Sequence, residues 1–219
     1  MRFVNADYFV HRLIEKTTEV TQRHWKKLMG NNPSFFSKHC EDCPVENVSW
    51  FDVQEFIEEL NQIDTSSTYR LPTEAEWEFA CRAGSSKAFS NGIITNLECH
   101  ENSSLNQIGW YNCNSDNKTH PVGLKKPNPL GIYDMHGNVN EWCQDSFVKY
   151  YSNIADSKNY ITIETEDKVA RSCSWNDTAV SCRAASKKNF TPDKKSNTIG
   201  FRLVREPKYY KAITKNPIP

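Results

Sequence analysis

Thiols are the first chemistry this chain offers, because eight cysteines are scattered along 219 residues. Cys173 and Cys182 lie nine positions apart in the stretch RSCSWNDTAVSCR, Arg171 to Arg183, among small polar residues and one tryptophan. Two thiolates held close would bind a soft Cu(I) ion or act as a redox couple; buried, they would simply pack or cross-link a loop. A second pair sits in His39-Cys40-Glu41-Asp42-Cys43, whose C-x-x-C spacing is half a zinc site that Cys99-His100 would complete. The competing readings of that pair are two ordinary thiols in a surface loop or a local disulfide. No Ser/His/Asp arrangement, P-loop or dinucleotide glycine motif is present.

These residues need elements to hold them, and three helices are legible. Thr21 to Met29 places Trp25, Leu28 and Met29 on one face and stops at Gly30. Ser49 to Gln62 puts Val53, Phe56, Ile57 and Leu60 at helical spacing behind a Ser49 cap. Thr73 to Ala83 opens on Thr73 and Glu76, a reciprocal capping box, and packs Trp77, Ala80 and Cys81 on one side. From Ser85 to Phe190 the sequence reads as loops and short apolar runs rich in Asn, Ser and Pro, the kind of segment that carries function. Ile199 to Val204 reads as a closing strand, with Phe201 and Leu203 on one face and Arg202 on the other. The expectation is one α+β domain over 1–219, with its core at about 18–205 and a loose tail from 206.

Composition narrows the partners. Lysine plus arginine equals aspartate plus glutamate at 27 each, which argues against a nucleic-acid surface. No apolar run is long enough for a membrane span. The N-terminal stretch MRFVNADYFVHRLIEK is too interrupted by charge for a signal peptide, so the default compartment is the cytoplasm and the thiols are expected free. On that ground the sequons at Asn47, Asn102, Asn117, Asn176 and Asn189 are read as chance.

Five segments in order carry a family resemblance: TEVTQRHWKKLMGNNPSFF, PVENVSWFDVQEF, YRLPTEAEWEFACRAG, THPVGLKKPNPLGIYDMHGNVNEWCQD and SCSWNDTAVSCRAASKKNFTPDKKSNTIGFRLVR. Together they resemble the formylglycine-generating enzyme, or sulfatase-modifying factor, family over about Thr18 to Arg205. The resemblance implies a C-type-lectin-like α+β fold, two or three helices around a small twisted antiparallel sheet, with much ordered loop. It also implies an activity, the copper- and oxygen-dependent oxidation of a substrate-protein cysteine to formylglycine by a closely spaced cysteine pair.

Here the pattern departs from the family. Where the first catalytic cysteine is expected, two positions past Trp175, stands Asp177. Cys182 matches the second cysteine counted forward from Trp175, or a structural position counted back from Arg183-Ala184-Ala185. A thiolate opposite a carboxylate is a poor linear Cu(I) site, so copper is disfavoured. The tryptophan that borders the family's cleft is Asn140. The expectation is a binding or accessory module; the alternative is a diverged oxidase using Cys182, Cys173 and Asp177. Cys173 precedes the turn and is expected to point elsewhere, whereas the resemblance suggests that Cys143 lies near Cys182. It further implies a calcium site from Asp134 and Glu141 carboxylates with the Gly137 and Val139 carbonyls; the bottom-up alternative makes the two acids loop anchors. A second family calcium loop is not found among Ser103 to Asn117. A protein, peptide or glycan would bind near Trp110, Tyr111, Asn140, Ser174, Trp175 and Asn176, where amides stand beside flat aromatics.

Overall fold

The computed structural model describes residues 18–38, 40–95, 103–152 and 160–208. The tail beyond 208, Cys99-His100, His39 and Asn102 lie outside the described residues. The helices form where caps and periodicity place them. Helix α1 (Gln22–Met29) starts at Thr21, whose side chain accepts from the His24 amide, and ends on Gly30 at φ 77°. Helix α2 (Trp50–Ile63) starts at Ser49 in a capping box with Asp52. Helix α3 (Glu74–Arg82) starts at Thr73 in the expected box with Glu76. A short α4 covers Ser103–Ile108. Trp25 of α1 stacks on Phe56 of α2 at 5.2 Å, and Phe201 meets both rings edge-on. This aromatic knot anchors a core that includes Val45, Val53, Leu71, Trp142 and Ile199.

The stretch read as loop between 85 and 190 contains the longest strands, and that expectation is corrected. Strands β2 (Asn140–Ser152) and β3 (Tyr160–Arg171) form an antiparallel ribbon. Its register shifts between Trp142 and Ser146 and again between Ser146 and Val148. Each shift is by two residues, so the side chains keep their faces on either side of it. With β4 (Lys187–Phe190) and β5 (Ile199–Gly200), the sheet order is β4-β3-β2-β5. Strands β1 (Ser67–Arg70) and β6 (Val204–Pro207) make a separate two-stranded sheet.

The single closing strand expected at Ile199 to Val204 is therefore two strands in two sheets. Its presumed outer face is also inside: Arg202 is 2% exposed, because it turns onto the carboxylate of Glu141.

Candidate functional site

Three loops meet above the start of β2: 109–120, 134–140 and 171–183. Asn138 joins them. Its amide donates to Trp110 O (2.8 Å), its carbonyl accepts from Trp175 N (2.9 Å), and its side chain bonds both backbone groups of His120. It does this at φ 69°, a left-handed conformation asparagine tolerates better than most residues. Gly137 is required beside it, since a Cβ there would overlap the Trp110 backbone.

Arg171, 1% exposed, ties both ends of the 171–183 loop to α3. It pairs with Glu74 (3.1 Å) and Glu78 (2.7 Å) and donates to Ala184 O. Inside the loop, Cys173 and Cys182 form a disulfide with Cα atoms 4.8 Å apart. They are 0% and 1% exposed, in a cluster with Phe89, Leu105, Ile108 and Tyr111. Cys173 thus points at Cys182 and not elsewhere. A 3₁₀ turn, Ala179–Cys182, shortens the path between them. The proximity suggested for Cys143 and Cys182 is not realised as a bond, since Cys143 is a free thiol buried in another cluster with Trp77 and Val169.

His136 seals the pair from below. Its Nε2 accepts from the Ser90 amide (3.1 Å), so Nδ1 carries the proton and donates to Cys182 O (2.8 Å). Burial pushes its pKa down to about 4, which keeps the ring neutral.

Asp177 holds the turn. Its carboxylate accepts from the Ser174 amide (2.8 Å) and hydroxyl (2.7 Å) and pairs with Lys188 at 2.6 Å. Burial alone would raise its pKa, but Lys188 and the Ser174 donors outweigh it and hold the carboxyl below its ordinary range. The position where the resemblance leads one to expect a cysteine is thus a turn-stabilising carboxylate.

Of the four residues expected around calcium, Glu141 is the one most fully engaged by the protein itself. Glu141, fully buried, accepts from Arg202 at 2.5 and 2.7 Å and from the Trp77 indole at 2.6 Å. The guanidinium already supplies the compensating positive charge. Asp134 Oδ2 accepts from Gly123 N (2.7 Å), and the Gly137 carbonyl accepts from Val139 N (3.0 Å). A hard cation wants six to eight converging oxygens. No group of three or more His, Cys, Asp or Glu side chains converges in that way among the described residues. Asp134 Oδ1 and both carboxylate oxygens of the fully buried Glu19 have no hydrogen-bond partner among the described residues, and burial beside Asp134 and Glu141 holds the Glu19 carboxyl well above its ordinary range. Zinc at Cys40 and Cys43 fails because the two are joined in a local disulfide.

Of the residues expected to contact a ligand, only Asn176 stands open to solvent. Asn140 and Ser174 are each 1% exposed. Tyr111 is buried, and its hydroxyl donates to Asn106. The Trp110 indole has the His120 ring at 3.8 Å and the Lys125 ammonium at 3.7 Å. Both cannot occupy one face at those distances, so the indole is sandwiched and offers no platform. Trp175 is 9% exposed, and its N–H donates to Asn197 O.

The accessible aromatic beside these loops is one the sequence reading did not single out. Phe35 is 68% exposed, edge-on to Phe36 at 5.0 Å, and Phe36 is edge-on to Trp175 at 5.4 Å. Beneath this row lies Glu46, fully buried, accepting from the Phe36 amide at 2.8 Å. Its other oxygen has no hydrogen-bond partner among the described residues. Burial, partly offset by the Phe36 and Phe35 amides, pushes its pKa up to about 7. The available signal was Asn31-Asn32-Pro33-Ser34-Phe35-Phe36: two aromatics in a turn-forming stretch that no helical or strand period explains.

Comparison with known proteins agrees with this architecture. The family model described as "Sulfatase-modifying factor enzyme 1-like domain" matches residues 2–207. The chaperone protein LppX of Paenibacillus barcinonensis is 32% identical over 174 residues, 57% of this chain and 59% of that protein. The formylglycine-generating enzyme of Mus musculus is 28% identical over 191 residues, 84% of this chain and 49% of the enzyme. The chain therefore spans about three-fifths of the first relative and about half of the second. Treponema denticola variable protein 1 superposes with a TM-score of 0.72 at 28% identity, covering 86% of this chain and 82% of its own. PvdO from Pseudomonas aeruginosa gives 0.68 at 26%, covering 87% and 78%.

Proposed function

The chain belongs to the sulfatase-modifying factor enzyme 1-like family, and from that premise we propose that it works as a binding or accessory module and not as a copper-dependent oxidase. One observation carries this reading: the Cys173–Cys182 disulfide, sealed inside an apolar cluster. Linear Cu(I) coordination needs two thiolates free to approach the metal. Here the sulfurs are bonded to each other, and the carboxylate of Asp177 is spent on Ser174 and Lys188. The oxidase alternative draws on the closeness of those two cysteines; their burial weighs against it.

The binding face we assign is the row Phe35, Phe36 and Trp175 with Asn176 at its edge. An exposed aromatic beside an adaptable amide suits contact with a protein segment or a glycan. A relative that bears a chaperone name supports an accessory role. The two bridges, with Cys113 also disulfide-bonded, favour an oxidising compartment over the cytoplasmic default.

The test is a Cu(I) titration of the reduced protein against a competing chelator, with Cys182→Ser as control. The module reading expects no stoichiometric binding, or binding indifferent to the substitution. Tight one-to-one binding lost in Cys182→Ser would overturn it and restore the oxidase.

A further inference from the structure

The loop from Asn31 to Glu46 joins α1 to α2, and its two legs do different things. The first leg presents Phe35 and Phe36. The second carries the Cys40–Cys43 disulfide, with Cα atoms 5.3 Å apart. Gln22, 1% exposed, connects the legs: its backbone amide donates to Cys43 O (2.9 Å) and its side-chain amide to Phe36 O (3.3 Å). Arg23 adds a bond from its amide to Glu41 O (2.8 Å) and ion pairs with Glu41 (2.9 Å) and Asp42 (3.0 Å). The cysteine leg is therefore the template on which Gln22 is set, and Gln22 in turn sets the aromatic leg.

The two bridges differ in access. Cys173 and Cys182 are both sealed, whereas Cys40 is half-buried and only Cys43 is closed off, at 1%. Thiol–disulfide exchange requires in-line approach to one sulfur, so Cys40 is the reachable atom. The Cys40–Cys43 bridge also closes a loop with a sequence separation of only 3, against 9 for the other. A shorter loop removes less chain entropy from the open form, so less holds the bond shut.

We infer that Cys40–Cys43 is a redox-active pair, a substrate for a dithiol such as that of a protein oxidoreductase, and that its opening loosens the Phe35–Phe36 leg. A thiolate of the dithiol attacks Cys40 Sγ. The Cys40–Cys43 bond breaks, and its electron pair leaves on Cys43 Sγ, which takes a proton. The second thiol of the dithiol, after losing its proton, attacks the mixed disulfide and releases Cys40 as a thiolate, which is then protonated. Two electrons pass to the loop, and the dithiol becomes a disulfide. The inference rests on the proposed binding face only in what the loosening controls.

The experiment uses the full chain, first oxidised and then equilibrated with dithiothreitol at graded ratios of its reduced to oxidised form. Each sample is alkylated for mass spectrometry and followed by hydrogen exchange. Cys40–Cys43 is expected to open at a ratio about tenfold or more below that which opens Cys173–Cys182. Exchange at the Phe36 amide should quicken about tenfold with it, while exchange in 173–182 stays unchanged. A Cys40→Ser/Cys43→Ser variant should show the fast Phe36 exchange without any reductant. Bridges that open together, or a Phe36 amide indifferent to reduction or to the double variant, would overturn the inference. No ligand enters these measurements, so a Phe35 face that binds nothing would sink the functional proposal and leave this one standing.

Discussion

Loop 171–183 and loop 31–46 each carry a disulfide and an aromatic, yet they are built in opposite ways. The first is anchored from inside by Arg171, His136 and Asn138, and its cysteines are closed to solvent. The second lies at the surface, tied by exposed ion pairs and one buried carboxylate, with Phe35 in water. Burial decides what a cysteine pair can do more than spacing does. In the interior loop the pair is scaffold. In the surface loop the same bond is within reach of chemistry.

Removing the floor of the interior loop should have the largest effect. Glu141 lies opposite Arg171 in the β2–β3 ladder and is neutralised by Arg202. Arg202→Leu leaves a buried carboxylate without its cation and is expected to cost about 3–5 kcal/mol, read from urea denaturation. A loss below about 1 kcal/mol would mean that the interior loop does not rest on this pair.

The buried acid of the surface loop gives the next largest effect, and it is pH-dependent. Glu46 has a folded pKa of about 7 against an ordinary 4.5. Its contribution is complete below pH 4.5 and is lost as the pH rises through 7, about 3 kcal/mol over that window. Glu46→Gln should flatten the stability profile between those values. An unchanged slope would show that this loop does not feel its buried carboxylate.

Opening the two bridges by mutation sharpens the contrast directly. Cys173→Ala/Cys182→Ala should lose about 3 kcal/mol and Cys40→Ala/Cys43→Ala about 2 kcal/mol, from loop length alone. Cavity costs add to the first, because its sulfurs pack among apolar neighbours. If the surface pair proved the costlier, the assignment of scaffold and latch would be reversed.

The smallest expected change is at Phe35. Phe35→Ala should alter stability by less than about 0.5 kcal/mol, since the ring is largely in water already. It should weaken capture of any protein or glycan ligand found for the chain. A clear loss of stability would make Phe35 part of the fold and remove it from the binding face.

Much of this was legible in the chain. Ser49 and Thr73 cap helices where their side chains predict, because capping needs only the next three residues. The start of β2 was not legible, because Asn140, Glu141, Trp142 and Cys143 are all buried and leave no polar–apolar alternation to announce a strand. Asn140 and Trp110 look like cleft residues in sequence. Only packing showed one enclosed and the other sandwiched.

The sequence by itself determined the local matters: three helices, two of them with their caps, the family motifs, and Asp177 in place of a cysteine. The tertiary structure alone decided which cysteines meet, that Arg202 pairs with Glu141, and that Phe35 stands in water. The physical reason is range. Caps, turns and periods are fixed by neighbours a few bonds away. Disulfide pairing, charge compensation and exposure depend on distances between segments that are remote in the chain, and a single sequence does not carry them.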